Sequence, residues 1–181
     1  NATSGCNAVL RSLDFSPGDE ILILSHAYGA VRNTVRYLAQ RHGLKIVEAT
    51  ISFPQPDADE IVAAVGAVLS ERTRIAVLDH VTSASALVMP IARLVALCRA
   101  AGVPVLVDGA HAPALVDLDL GALDADWYVG NCHKWLMAPK GCAFLWTRPE
   151  RQNAIHPLTI SHGFGRGYIE EFDWTGTRDP S

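Results

Sequence analysis

Short apolar runs alternate along the chain with longer amphipathic stretches. After the turn cluster Pro17-Gly18-Asp19, residues 20–25 read EILILS, a leucine and isoleucine run that predicts a buried strand. Residues 29–42 carry Val31, Val35 and Leu38 at helical spacing, and Gly43 stands where glycine commonly closes a helix. The alternation repeats as a strand over 45–50, a helix over 57–70, a strand over 74–79 and a helix over 90–101, with Pro90 suited to a first turn. Strands over 103–108, 126–131 and 142–147 follow, each bounded by Gly, Pro or Asp. At the start, NATSGCNAVLRSL reads as a loop feeding an amphipathic helix, with Thr3 or Ser4 available to cap it.

Parallel neighbours in a sheet need a long crossover, usually a helix, so this order predicts an α/β fold: three layers, α/β/α, around a mostly parallel sheet. The length favours a single domain covering residues 1–181. In such sheets ligands gather beyond the carboxyl ends of the strands. Asp79, Asp108 and Asn131 each end a predicted strand, which allows their side chains to converge on one site.

Composition narrows the function classes. Hydrophobic residues at 49% and charged residues at 19% are far from the signature of disorder. A net charge of -4, without a basic stripe interleaved with aromatics, argues against a nucleic-acid partner. The most apolar stretch, residues 87–106, is interrupted by Arg93 and Arg99 and fits a buried helix and strand, not a membrane span. Cys6, Cys98, Cys132 and Cys142 form no CxxC pair, which points to a reducing compartment, the cytoplasm. Asn1 opens the chain without a secretory pattern, and upstream sequence is expected to precede it.

The chemistry concentrates in two segments, VLVDGAHAP at 105–113 and DWYVGNCHKWLMAPKG at 126–141. They set Asp108 at one strand end and the pair His133-Lys134 just beyond a later one. Taken singly, Asp108 reads as a helix cap and Lys134 as a solvated surface lysine. Together, on strand ends of an α/β sheet, they read as a carboxylate and an amine directed at one ligand.

This combination resembles the class V aminotransferase family of fold type I pyridoxal 5'-phosphate enzymes, which includes cysteine desulfurases, C-S lyases and isopenicillin N epimerase. The segments HAYGAVRN, DHVTSASALVMPI and GNCHKWLMAPKG look most similar to the isopenicillin N epimerase-like proteins and the C-S lyases of ergothioneine biosynthesis. The resemblance implies that Lys134 is the Schiff-base lysine and, once freed, the group that moves protons at the substrate α-carbon. It implies that Asp108 keeps the pyridine nitrogen protonated and so preserves the electron sink.

Further positions follow from the same resemblance. His111 matches a contact to the cofactor phenolic oxygen, and His133 and Asn131 match phosphate-binding positions. Hydrogen-bonded structural roles for the two histidines, and a turn or cap role for Asn131, stand beside these readings. Ala2, Thr3 and Ser4 match the phosphate loop, where a helix start attracts an anion. Either His26 or Tyr28 places a ring over the cofactor, with Tyr28 favoured because a helix begins just after it. Thr82 and Ser83 match the segment that approaches the substrate carboxylate. Gly176 and Thr177, in FDWTGTRDPS, match the motif that reaches the phosphate in the other subunit, which implies a homodimer.

The implied activity lies at the α-carbon of an amino acid and is C-S lyase or desulfurase-like, with epimerisation as the alternative. A desulfurase proper also needs a mobile cysteine, whereas Cys132 beside a strand end reads as a packed neutral thiol. A metal-dependent hydrolase built on Asp79, Asp108, His111 and His133 lacks any familiar ligand spacing, and no metal is expected. A non-catalytic fragment that keeps the fold is the remaining alternative. The family's N-terminal segment and C-terminal small domain have no counterpart in these 181 residues, so the chain reads as a partial large domain with little turnover of its own.

Overall fold

The computed structural model describes residues 1–54 and 56–173. Its centre is a six-stranded sheet made of β1 (Glu20–Leu24), β2 (Lys45–Ala49), β3 (Thr73–Asp79), β4 (Val105–Asp108), β5 (Trp127–Asn131) and β6 (Ala143–Thr147). The spatial order is β2-β1-β3-β4-β5-β6. β1 to β5 run parallel, and β6 returns antiparallel to β5 with Asn131 opposite Ala143. The α/β class and the mostly parallel sheet expected from the strand-helix rhythm are therefore present.

Alternating side chains feed two cores, because successive residues of a strand point to opposite faces. One face carries Leu22, Leu24, Ala76, Leu78, Val105, Val107 and Tyr128, covered by α3 (Ala58–Val68) and α4 (Ile91–Ala100). The other carries Ile21, Ile23, Ile75, Val77, Leu106, Trp127 and Val129, covered by α1 (Ala2–Ser12) and α2 (Gly29–His42). These are the three expected layers.

Helix limits follow local chemistry. Gly43 closes α2 at φ 70°, a left-handed conformation that glycine adopts without a Cβ penalty, and its N–H bonds the Ala39 carbonyl. Asp57 opens α3 with a reciprocal capping box to Glu60. The opening of α1 departs from expectation. The helix already begins at Ala2, and Asn1 caps it by accepting the Ser4 N–H at 3.0 Å. Thr3 and Ser4 thus lie inside the first turn, since an asparagine one step earlier caps as well as either hydroxyl.

Three short elements went unexpected: α5 (Leu120–Leu123), the 3-10 turn Pro149–Ala154 and α6 (Tyr168–Asp173). Among the described residues no helix is long and apolar enough to cross a membrane.

Candidate active site

The carboxyl ends of β3, β4 and β5 meet the start of α1. Asp79 and Asp108 are register partners at the ends of β3 and β4. At the end of β5, the buried Asn131 Oδ1 accepts the Ala2 N–H at 2.8 Å, which fixes the first turn of α1 against the sheet. This close approach requires Gly5: a methyl group there would sit 2.6 Å from Val129 Cγ1.

A cavity of about 170 Å³ opens at this junction, lined by Thr3, Tyr28, Asp108, Asn131, His133 and Lys134, with Asn1, Ala2 and Ala110 at its edge. The sheet rule for ligand location holds here, since Tyr28, Asp108, Asn131, His133 and Lys134 come from strand ends or the connections after them, while Asn1 and Thr3 come from the start of α1. Lys134 reaches in from the β5–β6 connection, its Nζ 2.8 Å from His111 Nε2 and 6.0 Å from the centre of the Tyr28 ring.

Two basic nitrogens at that distance share a hydrogen bond only if one holds a proton and the other offers a lone pair. The surroundings favour such sharing. Partial burial lowers the Lys134 ammonium below its ordinary range, while Asp108 pulls it back up. His111 is held low by burial and then by the nearby Lys134 charge. Burial raises the Asp108 carboxyl, opposed by the Ala110 N–H on its Oδ1 at 3.1 Å and by Lys134. A buried carboxylate in this state gains from any further cation placed against it.

The structure gathers some of the expected residues and separates others. Lys134, Asp108, Tyr28, His133, Asn131, Ala2 and Thr3 line the cavity, and His111 joins them through the lysine amine. His133 also bonds the Cys142 carbonyl through Nδ1 at 2.9 Å. Ser4 turns instead toward a separate groove formed with Phe144, Pro157 and Phe172. His26 spends both ring nitrogens elsewhere, on the Ile51 carbonyl at 3.1 Å and Ser85 Oγ at 2.9 Å. Thr82 is buried, its Oγ1 paired with Ser85 Oγ at 2.7 Å and accepting the Leu87 N–H at 2.8 Å. Ser83 is exposed, away from the cavity. Gly176 and Thr177 lie outside the described residues.

Asn1 and Ala110 at the cavity edge were not foreseen. For Asn1 a signal existed, because asparagine is among the best helix caps and caps face anion-binding helix ends. Asp79 acts one layer back. Its carboxyl is pushed well above the usual carboxylate range by burial and by Asp108, with the nearby Tyr28 backbone N–H opposing the rise. His80 takes no part; its Nδ1 meets the Tyr128 hydroxyl at 2.8 Å. Among the described residues no three His, Cys, Asp or Glu side chains gather as a metal-ligand set.

Comparison with known proteins identifies the family. The family model described as Aminotransferase class-V matches residues 1–177. The chain belongs to the class-V aminotransferase family. This class-V chain is 39% identical to isopenicillin N epimerase of Streptomyces clavuligerus, with 91% of the chain matched to 41% of that protein. It is 34% identical to L-cysteine desulfhydrase of Arabidopsis thaliana, with 100% of the chain matched to 43% of that protein. The solved complex of the cystine C-S lyase C-DES with its reaction product cysteine persulfide superposes with a TM-score of 0.82 at 31% identity. That match covers 89% of this chain and 43% of the lyase. The class-V chain therefore spans less than half the length of these relatives.

Proposed function

We propose that this protein is a pyridoxal 5'-phosphate enzyme that acts at the α-carbon of a sulfur-containing amino acid and cleaves its C–S bond. The observation that carries the reading is the cavity in which the Lys134 amine and the buried Asp108 carboxyl face a common space beside the start of α1. The residues present fit the cofactor. Lys134 supplies the amine for an imine, and its lowered ammonium favours the neutral nucleophile. Asp108 offers a desolvated carboxyl suited to a protonated ring nitrogen. The first turn of α1, with Ala2 and Thr3, offers helix-terminal amides to a phosphate, alongside His133 and Asn131. Tyr28 supplies a ring beside the amine.

When bound, pyridoxal phosphate supplies an aldehyde carbon and an electron sink for charge developing at the substrate α-carbon. The chain's own work is positional and acid-base. With its amine free, Lys134 would take the α-proton of a substrate held in the cavity, and His111 at 2.8 Å would exchange a proton with that amine. Asp79 lies behind the site near the Tyr28 backbone, where burial and Asp108 keep its carboxyl raised.

C–S cleavage is preferred because the similar proteins include an L-cysteine desulfhydrase and a cystine C-S lyase. Epimerisation is the second reading, favoured by the 39% identity to isopenicillin N epimerase. A homodimer in which Gly176 and Thr177 reach the cofactor of the other subunit belongs to the same proposal, supported by the family motif they match. The cytoplasm remains the proposed compartment, supported by four cysteines that form no disulfide.

Borohydride reduction of protein saturated with pyridoxal phosphate, followed by peptide mass mapping, tests the anchor. A pyridoxyl group on Lys134 is the expected result, and an unmodified Lys134 peptide would overturn the assignment. Incubation with cysteine and cystine then separates the reactions: pyruvate with a sulfur product marks cleavage. Solvent deuterium at the α-carbon without pyruvate marks epimerisation.

A further inference from the structure

The connection that carries Lys134 is bracketed by two cysteines. β5 and β6 pair antiparallel up to Asn131 opposite Ala143, so Cys132 and Cys142 form the next facing pair. The Cys132 N–H donates to the Cys142 carbonyl at 2.9 Å, and the Cys142 thiol lies near enough to the Cys132 thiol to push it up. Facing residues of an antiparallel pair have Cα atoms about 4.5–5.5 Å apart. A disulfide takes Cα separations of about 4.4–6.8 Å, so the bridge needs little backbone movement. Both cysteines are free; Cys142 is exposed and Cys132 half-buried.

The connection between them carries two residues of the candidate site, His133 and Lys134. The Ala138 N–H bonds the Cys132 carbonyl at 3.1 Å and the Met137 N–H bonds the Lys134 carbonyl at 3.2 Å, folding the loop above the pair. The same Cys142 carbonyl that Cys132 uses also receives the His133 backbone N–H at 3.2 Å and His133 Nδ1 at 2.9 Å. A covalent tie at this neck therefore acts on the segment that aims His133 and Lys134.

We infer that Cys132 and Cys142 form a thiol-disulfide exchange site for low-molecular-weight disulfides, closing reversibly across the neck of the Lys134 loop. The exposed Cys142 attacks first. Its thiolate breaks the S–S bond of the small disulfide, forms a mixed disulfide and releases one thiolate. The Cys132 sulfur, facing it across the end of the β5–β6 pair, then attacks the Cys142 sulfur, forms the internal S–S bond and releases the second small thiolate. Two electrons pass from the cysteine pair to the small disulfide, and the two thiol protons end on its reduced halves. The order of events agrees with the Cys132 thiol being held above its ordinary range by burial and by the Cys142 thiol, which suits the resolving role. Cys6 and Cys98, buried on opposite faces of the sheet, are internal controls.

The test treats the folded chain with oxidised glutathione, alkylates with iodoacetamide and maps the digested peptides by mass. The expected product links the Cys132 and Cys142 peptides, leaves Cys6 and Cys98 to be alkylated only after unfolding, and reverses with dithiothreitol. In Cys132→Ser the reaction stalls as a glutathione adduct on Cys142, whereas Cys142→Ser gives little adduct at Cys132. Continued alkylation of both Cys132 and Cys142 after glutathione treatment overturns the inference, and so does an adduct on the unaltered protein that never closes. The readout is on thiols alone, so its failure is distinct from failure of the cofactor reading.

Discussion

Replacing Asn131 with alanine isolates the bond that holds the first helix to the end of β5. Asn131 and Ala2 are 6% and 3% exposed, so the Ala2 N–H loses its acceptor where water replaces it poorly. An unsatisfied buried donor costs about 1–3 kcal/mol, well above the roughly 0.5 kcal/mol of an ordinary surface change. For a chain of this size that corresponds to a fall in Tm of about 2–12 °C. Urea and thermal unfolding of cofactor-free protein measure it, and amide exchange in the first turn of α1 should accelerate at the same time. Asn131→Asp, which keeps an acceptor at the same reach, should retain stability better at low pH than at neutral pH, where its charge adds to that of Asp108. A melting point for Asn131→Ala within about 1 °C of wild type, with unchanged exchange at Ala2, would refute the argument that this hydrogen bond seats the helix.

Other substitutions probe the site from different directions. The Asp79 carboxyl is raised in the folded state, so its contribution is fully present below the unfolded carboxyl range near about pH 4 and is lost as pH rises through the folded value. Asp79→Asn, which keeps the size of the side chain and removes the titrating group, should therefore flatten the decline in urea stability above that pH; an unchanged pH slope would count against the burial argument. Lys134 should react with pyridoxal, trapped by borohydride, at a lower pH midpoint than an ordinary lysine. Because Asp108 opposes the lowering, Asp108→Asn should move that midpoint further down, and an upward move would contradict the charge assignment. Gly5→Ala gains about 1 kcal/mol of helix propensity but drives a methyl group to 2.6 Å from Val129, an overpacking cost of about 1–3 kcal/mol. Net destabilisation in unfolding assays is expected, and Val129→Ala should relieve it; simple additivity of the two changes would show that the contact is relaxed at no cost.

Much of the architecture was written in the residue pattern. Helix α2 runs over the residues its periodicity marked, because Gly43 ends it through backbone conformation alone, whatever packs nearby. The strands ending at Asp79, Asp108 and Asn131 were legible as apolar runs stopped by a polar residue. Strand direction was not: residues 142–147 look like any other buried strand, and the pair is antiparallel because the connection over 132–142 holds no crossover helix. The four-residue α5 is too short to show a period.

Within the site, the strand-end carboxylate and the His-Lys pair were legible because their positions follow from strand ends. The hydroxyls of Thr82 and Ser83 were not, because partners such as Ser85 and the Leu87 amide decide which way a loop side chain turns. The same holds for His26, whose engagement with Ile51 joins residues from separate connections. Caps are ambiguous for a different reason: in the run Asn1-Ala2-Thr3-Ser4 three residues are competent, and packing of α1 on β5 selects the first.

The bond from Ala2 to Asn131 spans 129 positions of the chain. During synthesis the amino-terminal helix therefore emerges from the ribosome long before the strand that receives it. Lys134, the proposed anchor, comes later still, three residues beyond Asn131. A nascent chain can thus assemble β1 to β4 while the cavity is still open on one side, so the walls supplied by Asn131, His133 and Lys134 close it only after those strands have formed.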